Sequence, residues 1–234
     1  MMNTGLADLR LVAPRTSVGK VGARMAAHAG AVLDARQTHA TLAEAVDDCV
    51  LVVGTVGRET ARREAPLGIE AFVGEVREAA AAGTVALVFG PEDHGLSNEE
   101  LDLCQRFLTL PTHPSYESLN LAQAVLLCGW ELWRDGAIAA PESPARPNAA
   151  RTNRGRKRSS DSAPATTSDR EALFAHLGEA LKKIGFLDEQ NPEHILRDVR
   201  GLFARAEPTR RDIKVWRGIA RQINWAGDRA RGSG

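Results

Sequence analysis

The chain has 234 residues, 43% of them hydrophobic, with 30 basic and 30 acidic side chains. That is enough apolar material for one larger domain and a small one, and its longest apolar runs, Val85–Gly90 and Leu121–Trp130, are too short or too broken to span a bilayer. The start MMNTGLADLR lacks the layout of a signal peptide, and Cys49, Cys104 and Cys128 are odd in number, widely spaced and set among apolar residues. These features predict a cytoplasmic protein with reduced, buried thiols and no disulfide frame or metal centre. The balanced charge conceals an asymmetry: residues 1–143 carry 11 basic against 19 acidic side chains, residues 144–168 six against one, and residues 169–234 13 against ten. A polyanionic partner would meet the C-terminal part first.

In chain order, Leu9-Arg10-Leu11-Val12-Ala13-Pro14 predicts a short strand closed by proline, and Gly19 to Ala29 a helical stretch of small residues. Ala31-Val32-Leu33 predicts a brief strand. Thr41 and Glu44 have the spacing of a capping box and open a short helix. Cys49-Val50-Leu51-Val52-Val53-Gly54-Thr55 is β-branched without alternation, which suits an interior strand of a parallel sheet. The charged run from Gly57 to Arg63 reads as loop. Ile69, Phe72, Val73 and Val76 fall on one helical face, and Val85-Ala86-Leu87-Val88-Phe89 reads as a second interior strand. Ser97 and Glu100 form another capping box, and Leu119, Ala122, Leu126, Gly129 and Trp130 make a helical stripe that predicts core. The rhythm of strand and helix predicts an α/β domain with a mainly parallel sheet.

Ligands of such sheets bind beyond the carboxyl ends of the strands. Three of those ends carry turns here: Gly54–Gly57, Gly90–Gly95 and Leu110–Pro114. Gly90 and Gly95 either make a turn or bring backbone close to a ligand. No G-x-G-x-x-G follows the first strand and no G-x-x-x-x-G-K is present, so nucleotide phosphates are not indicated. His94, His113 and Glu92 match no zinc spacing, and Ser118 with His113 lacks the G-x-S-x-G elbow of a hydrolase.

Taken together, Leu51-Val52-Val53-Gly54-Thr55, Phe89-Gly90-Pro91-Glu92-Asp93-His94-Gly95-Leu96-Ser97-Asn98-Glu99-Glu100-Leu101 and Tyr116-Glu117-Ser118-Leu119-Asn120-Leu121-Ala122-Gln123-Ala124-Val125 resemble the SpoU branch of the SPOUT RNA ribose 2′-O-methyltransferases. Leu173 to Leu187 and Leu196 to Ala206 resemble the helical extension of the TrmJ-type tRNA methyltransferases. The resemblance implies a SPOUT-type parallel sheet with a C-terminal trefoil knot, an exception to the rule against knots, plus a small all-α domain. It implies domains at 1–140 and 168–234 joined by a flexible basic linker at 141–167. It further implies S-adenosyl-L-methionine as cofactor, a homodimer, tRNA as partner, and no metal or membrane. Thr55, Val56, Gly57, Gly90, Leu110, Glu117, Ser118 and Leu119 would line the cofactor site, and Glu92, Ser118 and Asn120 would stand near the reacting centre. The implied target is the C or U at position 32 of the anticodon loop. Competing readings are a SpoU enzyme acting on rRNA or another tRNA site, and a cofactor- or RNA-binding homologue impaired in catalysis.

One departure bears on that last alternative. The family's first motif, N-x-G-x-x-A-R-A after the first strand, has no counterpart, because Met1-Met2-Asn3-Thr4-Gly5-Leu6 matches the segment that follows it. The expectation is a start codon assigned downstream of the biological one. Ser17 to Arg24 imitates the motif but follows the second family strand, so Arg24 is not given the motif arginine's role.

Residues Pro141 to Thr167 are rich in Pro, Ala, Ser and Arg, and predict a tether whose six basic residues could track phosphates. Ser168 and Glu171 have capping-box spacing for a helix to about Ile184. Asn191-Pro192 opens another. Pro208 precedes a third, with Ile213, Trp216, Ile219, Ala220 and Ile223 as its packing face. Arg197, Arg200, Arg210, Arg211, Lys214 and Arg217 are candidates for RNA contact, or ordinary surface charge.

Overall fold

The computed structural model describes residues 1–16, 19–57, 65–113, 115, 119–138, 160–187 and 192–232. The central sheet has three parallel strands in the order β4-β3-β5: β3 is Cys49–Thr55, β4 Thr84–Val88 and β5 Arg106–Leu108. A separate parallel pair, β1 (Arg10–Val12) and β2 (Gln37–His39), precedes it. Between β1 and β2 lie the helices α1 (Lys20–Met25) and α2 (Gly30–Asp34). The strand expected at Ala31–Leu33 is therefore helix α2, with Val32 buried on it. Three apolar residues fit a strand or one helical turn equally well, and the pairing partner of β1 is the polar Gln-Thr-His run that no periodicity marks.

Helix α3 (Leu42–Ala45) follows, with the Thr41 side chain accepting from the Glu44 amide at 3.2 Å; Glu44 in turn accepts from Ala40 N–H at 3.0 Å. Helix α4 (Ile69–Ala80) buries Phe72, Val73 and Val76, the face that the spacing predicts. Helix α5 (Asn98–Asp102) has the reciprocal Ser97–Glu100 capping box, and α6 (Leu121–Arg134) follows β5.

Because β3 is central, its alternate residues point into two cores. Val52 packs with Leu42, Ala45, Val46, Leu101, Cys104 and Phe107 on one face. Val53 packs with Phe72, Val76, Leu108, Cys128 and Leu132 on the other. Burial on both faces explains why β3 reads as unbroken apolar sequence. β4 does not occupy the interior place expected of it: among the described residues it is a sheet edge, and only Val88 on it is fully buried.

The α6 stripe is also corrected. Gly129 is buried because Thr4, in a 3-10 turn at Met2–Thr4, presses against it; a Cβ there would stand 2.7 Å from Thr4 Oγ1. Leu126 and Trp130 are instead 47% exposed and join Leu127 and Trp133 on a face left open to solvent, where the two indoles meet at 5.2 Å. Helical spacing identifies a shared face but not whether the chain itself covers it.

In the C-terminal part α7 is Thr167–Lys183, α8 Pro192–Ala206 and α9 Arg210–Gly232. The capping box of α7 is Thr166 with Asp169, not Ser168 with Glu171. Both pairs have the required spacing, but starting earlier lets Thr167 and Arg170 bury against β3. The tether expected through Thr167 is correspondingly shorter. Ser160–Ser162 form a 3-10 turn, Ala165 is fully buried and donates to Pro208 O at 2.9 Å, and the stretch 141–159 lies outside the described residues. On α9, Ile213 and Ala220 are buried as expected, whereas Trp216 and Ile219 are 40% and 41% exposed. Trp216 packs edge-on to Phe203, which packs edge-on to Phe174.

Candidate active site

The parallel register sets Thr55 beside Leu108 and Gly54 beside Val88, so the carboxyl ends of β3, β4 and β5 finish level. The chain then ties those ends together. Thr55 Oγ1 donates to Val88 O at 3.1 Å, Val56 N–H donates to Leu108 O at 3.0 Å, and Thr109 Oγ1 donates to Val56 O at 3.3 Å. Leu67 runs alongside, donating to Phe107 O at 2.7 Å and accepting from Thr109 N–H at 3.3 Å. Thr55, Val56, Gly57, Gly90 and Leu110, all selected from sequence, thus emerge at one sheet edge. Thr109 was missed, since its role depends on which strand lies beside it.

Between β4 and α5 the chain folds back on itself. A Cβ on Gly90 would stand 2.3 Å from the carbonyl carbon of Gly95, an impossible approach, and Gly95 has φ +69 and donates to Pro91 O at 2.9 Å. Both glycines are therefore demanded by a tight turn, and the same turn brings bare backbone to the strand end. Glu92 is exposed on it. Asp93 pairs with His94 Nδ1 at 2.7 Å and approaches Arg15 at 3.8 Å, so a loop that follows β1 reaches this edge as well. Among the described residues no three His, Cys, Asp or Glu side chains gather as a metal site would require.

Asn120 is the N-cap of α6, its Oδ1 accepting from Ala122 N–H at 2.9 Å. The cap uses only the side-chain oxygen, so the amide NH2 is not spent on it. Leu119 beside it is half-buried. Glu117 and Ser118 lie outside the described residues. Val56 and Leu110 are half-buried and pack against opposite cores, giving the edge two apolar walls. Backbone groups, apolar walls and acidic loop residues suit a flat aromatic base joined to a cationic group, as S-adenosylmethionine is. Arg24 lies exposed in the last turn of α1.

The opposite, amino-terminal edge is closed by the tail. β5 is too short to pair with all of β3, and side chains supply the rest of the ladder. Gln105 Oε1 accepts from Val52 N–H at 2.9 Å, and Arg170 Nη1 donates to Val50 O at 3.1 Å. Arg170 also donates to Ala165 O at 2.7 Å, Gln105 Oε1 at 2.9 Å and Thr167 Oγ1 at 3.0 Å. It is 5% exposed, and burial pulls its guanidinium down to about 10. Arg106 adds a second clasp, bonded to Glu75 at 2.6 Å, Glu207 at 2.6 Å and Ala204 O at 3.0 Å. Nothing in sequence spacing marks either arginine.

Of the six basic candidates in the tail, four hold carboxylates: Arg197 with Asp102 at 3.1 Å, Arg200 with Glu171, Arg210 with Asp169 at 3.2 Å, and Lys214 with Asp161. Arg211 and Arg217 are exposed. The thiols of Cys49 and Cys128 are pushed up to about 12 by burial, which leaves them inert near neutral pH.

Comparison with known proteins agrees with both halves of this architecture. Residues 1–130 match the model of the SpoU rRNA Methylase family, and residues 168–233 match that of the tRNA methyltransferase TrmJ C-terminal domain. The tRNA (cytidine/uridine/adenosine-2′-O-)-methyltransferase TrmJ of Pseudomonas aeruginosa is 34% identical over 224 residues, covering 94% of this chain and 84% of the relative. The tRNA (cytidine/uridine-2′-O-)-methyltransferase TrmJ of Escherichia coli is 34% identical over 228 residues, covering 95% and 86%. The crystal structure of TrmJ from Z. mobilis ZM4 superposes with a TM-score of 0.75 at 29% identity, over 95% of this chain and 89% of that one. The two halves match in one order along one chain, and by that match the protein belongs to the SpoU methylase family, with the C-terminal extension of its TrmJ members.

Proposed function

We propose that the chain methylates ribose 2′-hydroxyls of tRNA with S-adenosylmethionine, and that the nucleotide at position 32 of the anticodon loop is its target. The observation that carries the tRNA 2′-O-methylation is the two-part match, catalytic body and tail together, to relatives named for it; position 32 rests on the family resemblance alone. The convergence of Thr55, Val56, Gly57, Gly90 and Leu110 on one sheet edge supports the cofactor assignment.

When bound, the cofactor supplies an electrophilic sulfonium methyl. The work of the protein is then to position and to accept a proton. Val56 and Leu110 would hold the base between them, and backbone groups at Gly57 and Gly90, together with Glu117, Ser118 and Leu119, would meet its polar edges. Asn120, held by its own cap, orients the ribose through its amide NH2. Glu92 and Ser118 are the polar groups assigned to the reacting centre by the motif. The family resemblance assigns the C-terminal part of this domain, the Gly90–Gly95 turn included, to a trefoil knot. The exposed Leu126, Leu127, Trp130 and Trp133 face of α6 supports a homodimer, since an apolar patch of that kind marks an association surface. Residues 1–140 and 168–234 are the two domains, the second extended back to the Ser160–Ser162 turn, acting in the cytoplasm, where tRNA is modified; among the described residues no helix is long and apolar enough to cross a membrane.

Calorimetry with S-adenosylmethionine, combined with methyl transfer to an unmodified tRNA transcript and mapping of the modified nucleotide, tests the proposal. Binding and transfer at position 32 is expected. Binding without transfer would leave a cofactor-binding homologue, and absence of binding would overturn the assignment.

A further inference from the structure

A cleft of about 480 Å³ opens between body and tail, on the clasped side of the sheet and away from the strand ends that carry the candidate active site. Four arginines line it, Arg170, Arg197, Arg200 and Arg205, against three carboxylates, Asp102, Glu171 and Asp198. Two are already paired: Arg197 holds Asp102 at 3.1 Å, and Arg200 forks Glu171 while lying 4.4 Å over the Phe174 ring. Among the described residues, neither Arg170 nor Arg205 is hydrogen-bonded to a carboxylate. Arg170 is 95% buried, gives its Nη atoms only to neutral acceptors, and leaves Nε buried without a partner. A buried cation whose hydrogen-bond partners are all neutral, with Glu171 and Asp169 acting on it only through space and one N–H unmet, keeps capacity for an anion.

The floor of the cleft is a second, independent oddity. Gly201 sits in the interior of α8, where alanine would favour the helix by about 1 kcal/mol. A Cβ there would touch only Arg205 Nη1, at an ordinary 3.6 Å, so packing does not require glycine. What the missing side chain does is leave bare floor between Arg197 and Arg205, which flank Gly201 on the same helical face at four-residue intervals.

Resting on the tRNA reading above, we infer that this cleft is a phosphate-binding site that holds one backbone phosphate of the RNA between Arg170, Arg205 and the bare helix at Gly201. The paired Arg197 and Arg200 form its rim. Arg205 has a guanidinium fork that matches phosphate oxygens and Arg170 has its remaining Nε–H, and the basic balance of residues 144–234 favours a polyanion over a neutral ligand. Because Arg170 is bonded to β3 and to Gln105, a phosphate held there would touch body and tail at once.

The test uses the full chain and two variants, Gly201→Asp, which places a negative charge on the floor, and Arg205→Gln. Their folding is checked by cooperative thermal unfolding and unchanged calorimetric binding of S-adenosylmethionine. With an unmodified tRNA transcript, each variant should bind about 10-fold more weakly, and Arg205→Gln should lower the slope of log K against log salt by about 1. In a separate arm, inorganic phosphate should raise the melting temperature of the parent above that in chloride of equal ionic strength, and should fail to do so for Gly201→Asp. Unchanged tRNA affinity in both variants would overturn the site as an RNA contact, even if free phosphate still bound. No phosphate-dependent shift in the parent would overturn the site altogether. If the parent bound no tRNA, the functional reading would fall, while the phosphate arm would still decide whether the cleft holds an anion.

Discussion

The two edges of the same parallel sheet are built on opposite terms. At the carboxyl edge the strands end level and are tied by hydroxyl bonds from Thr55 and Thr109, and what lies beyond is backbone, glycine and half-buried apolar side chain. At the amino edge β5 stops short, and Gln105, Arg170 and Arg106 replace the missing ladder with side chains reaching to and from a helical tail. The first edge ends in bare backbone and apolar side chain; the second is bridged to the tail, with the arginine-lined cleft left between them. The carboxyl edge is built from groups that can be approached, the amino edge from side chains locked by mutual bonds.

That contrast can be broken from the clasped side with the largest effect. Arg170→Met should destabilise the chain by about 3 kcal/mol, because Val50 O and Ala165 O lose a charged donor in a buried place. Urea unfolding would show it, and calorimetric affinity for S-adenosylmethionine at low temperature should stay near that of the parent. From the open side, Asn120→Asp should keep the helix cap, since either side chain accepts from Ala122 N–H, but lose the amide donor. Transfer should fall about 100-fold, or about 2.7 kcal/mol of transition-state stabilisation, with little change in melting temperature. Asn120→Ala should lose the same transfer and about 1 kcal/mol of stability as well. Gly90→Ala joins the two measures: its Cβ must displace the Gly95–Leu96 backbone, so stability should fall by about 2 kcal/mol and cofactor affinity should fall with it.

The smallest effect concerns pH. The Cys49 and Cys128 thiols sit near 12 when folded and at their ordinary value of 9.0 when unfolded. The folded chain therefore binds more protons around and above pH 9, and stability falls as pH rises through that window, by about 0.7 kcal/mol between pH 8 and pH 9 for the two thiols together. The depressed guanidinium of Arg170 acts in the opposite sense, but only above about pH 10. Urea midpoints at the two pH values, compared with those of a Cys49→Ala, Cys128→Ala double variant, would separate the thiol part.

How much of this was legible in the sequence depended on whether a residue's partner is near in the chain. Local signals held where the chain answers itself: the Ser97–Glu100 box, the Phe72–Val76 face, and the unbroken apolar run of β3. The open edge was legible because its residues sit in motifs that identify the strand ends. The clasp was not, since Arg170 meets Val50 across 120 positions and Arg106 meets Ala204 across 98, and an arginine bound for burial is spelled like one bound for solvent. The same limit misassigned the capping box of α7, where two pairs had correct spacing and burial chose between them. It also misassigned α6, whose stripe identifies a face but not its occupant.

The exposure of the α6 indoles has an optical consequence. Trp130, Trp133, Trp216 and Trp225 are the four tryptophans of the chain, and they are 47%, 42%, 40% and 54% exposed. Within one chain these rings are therefore already partly in contact with water, Trp130 and Trp133 resting on each other and Trp216 on Phe203, and unfolding moves them only part of the way from packed to wet. The spectrum will respond instead to whatever covers them: the first pair to material laid on α6, the second to material laid on α9.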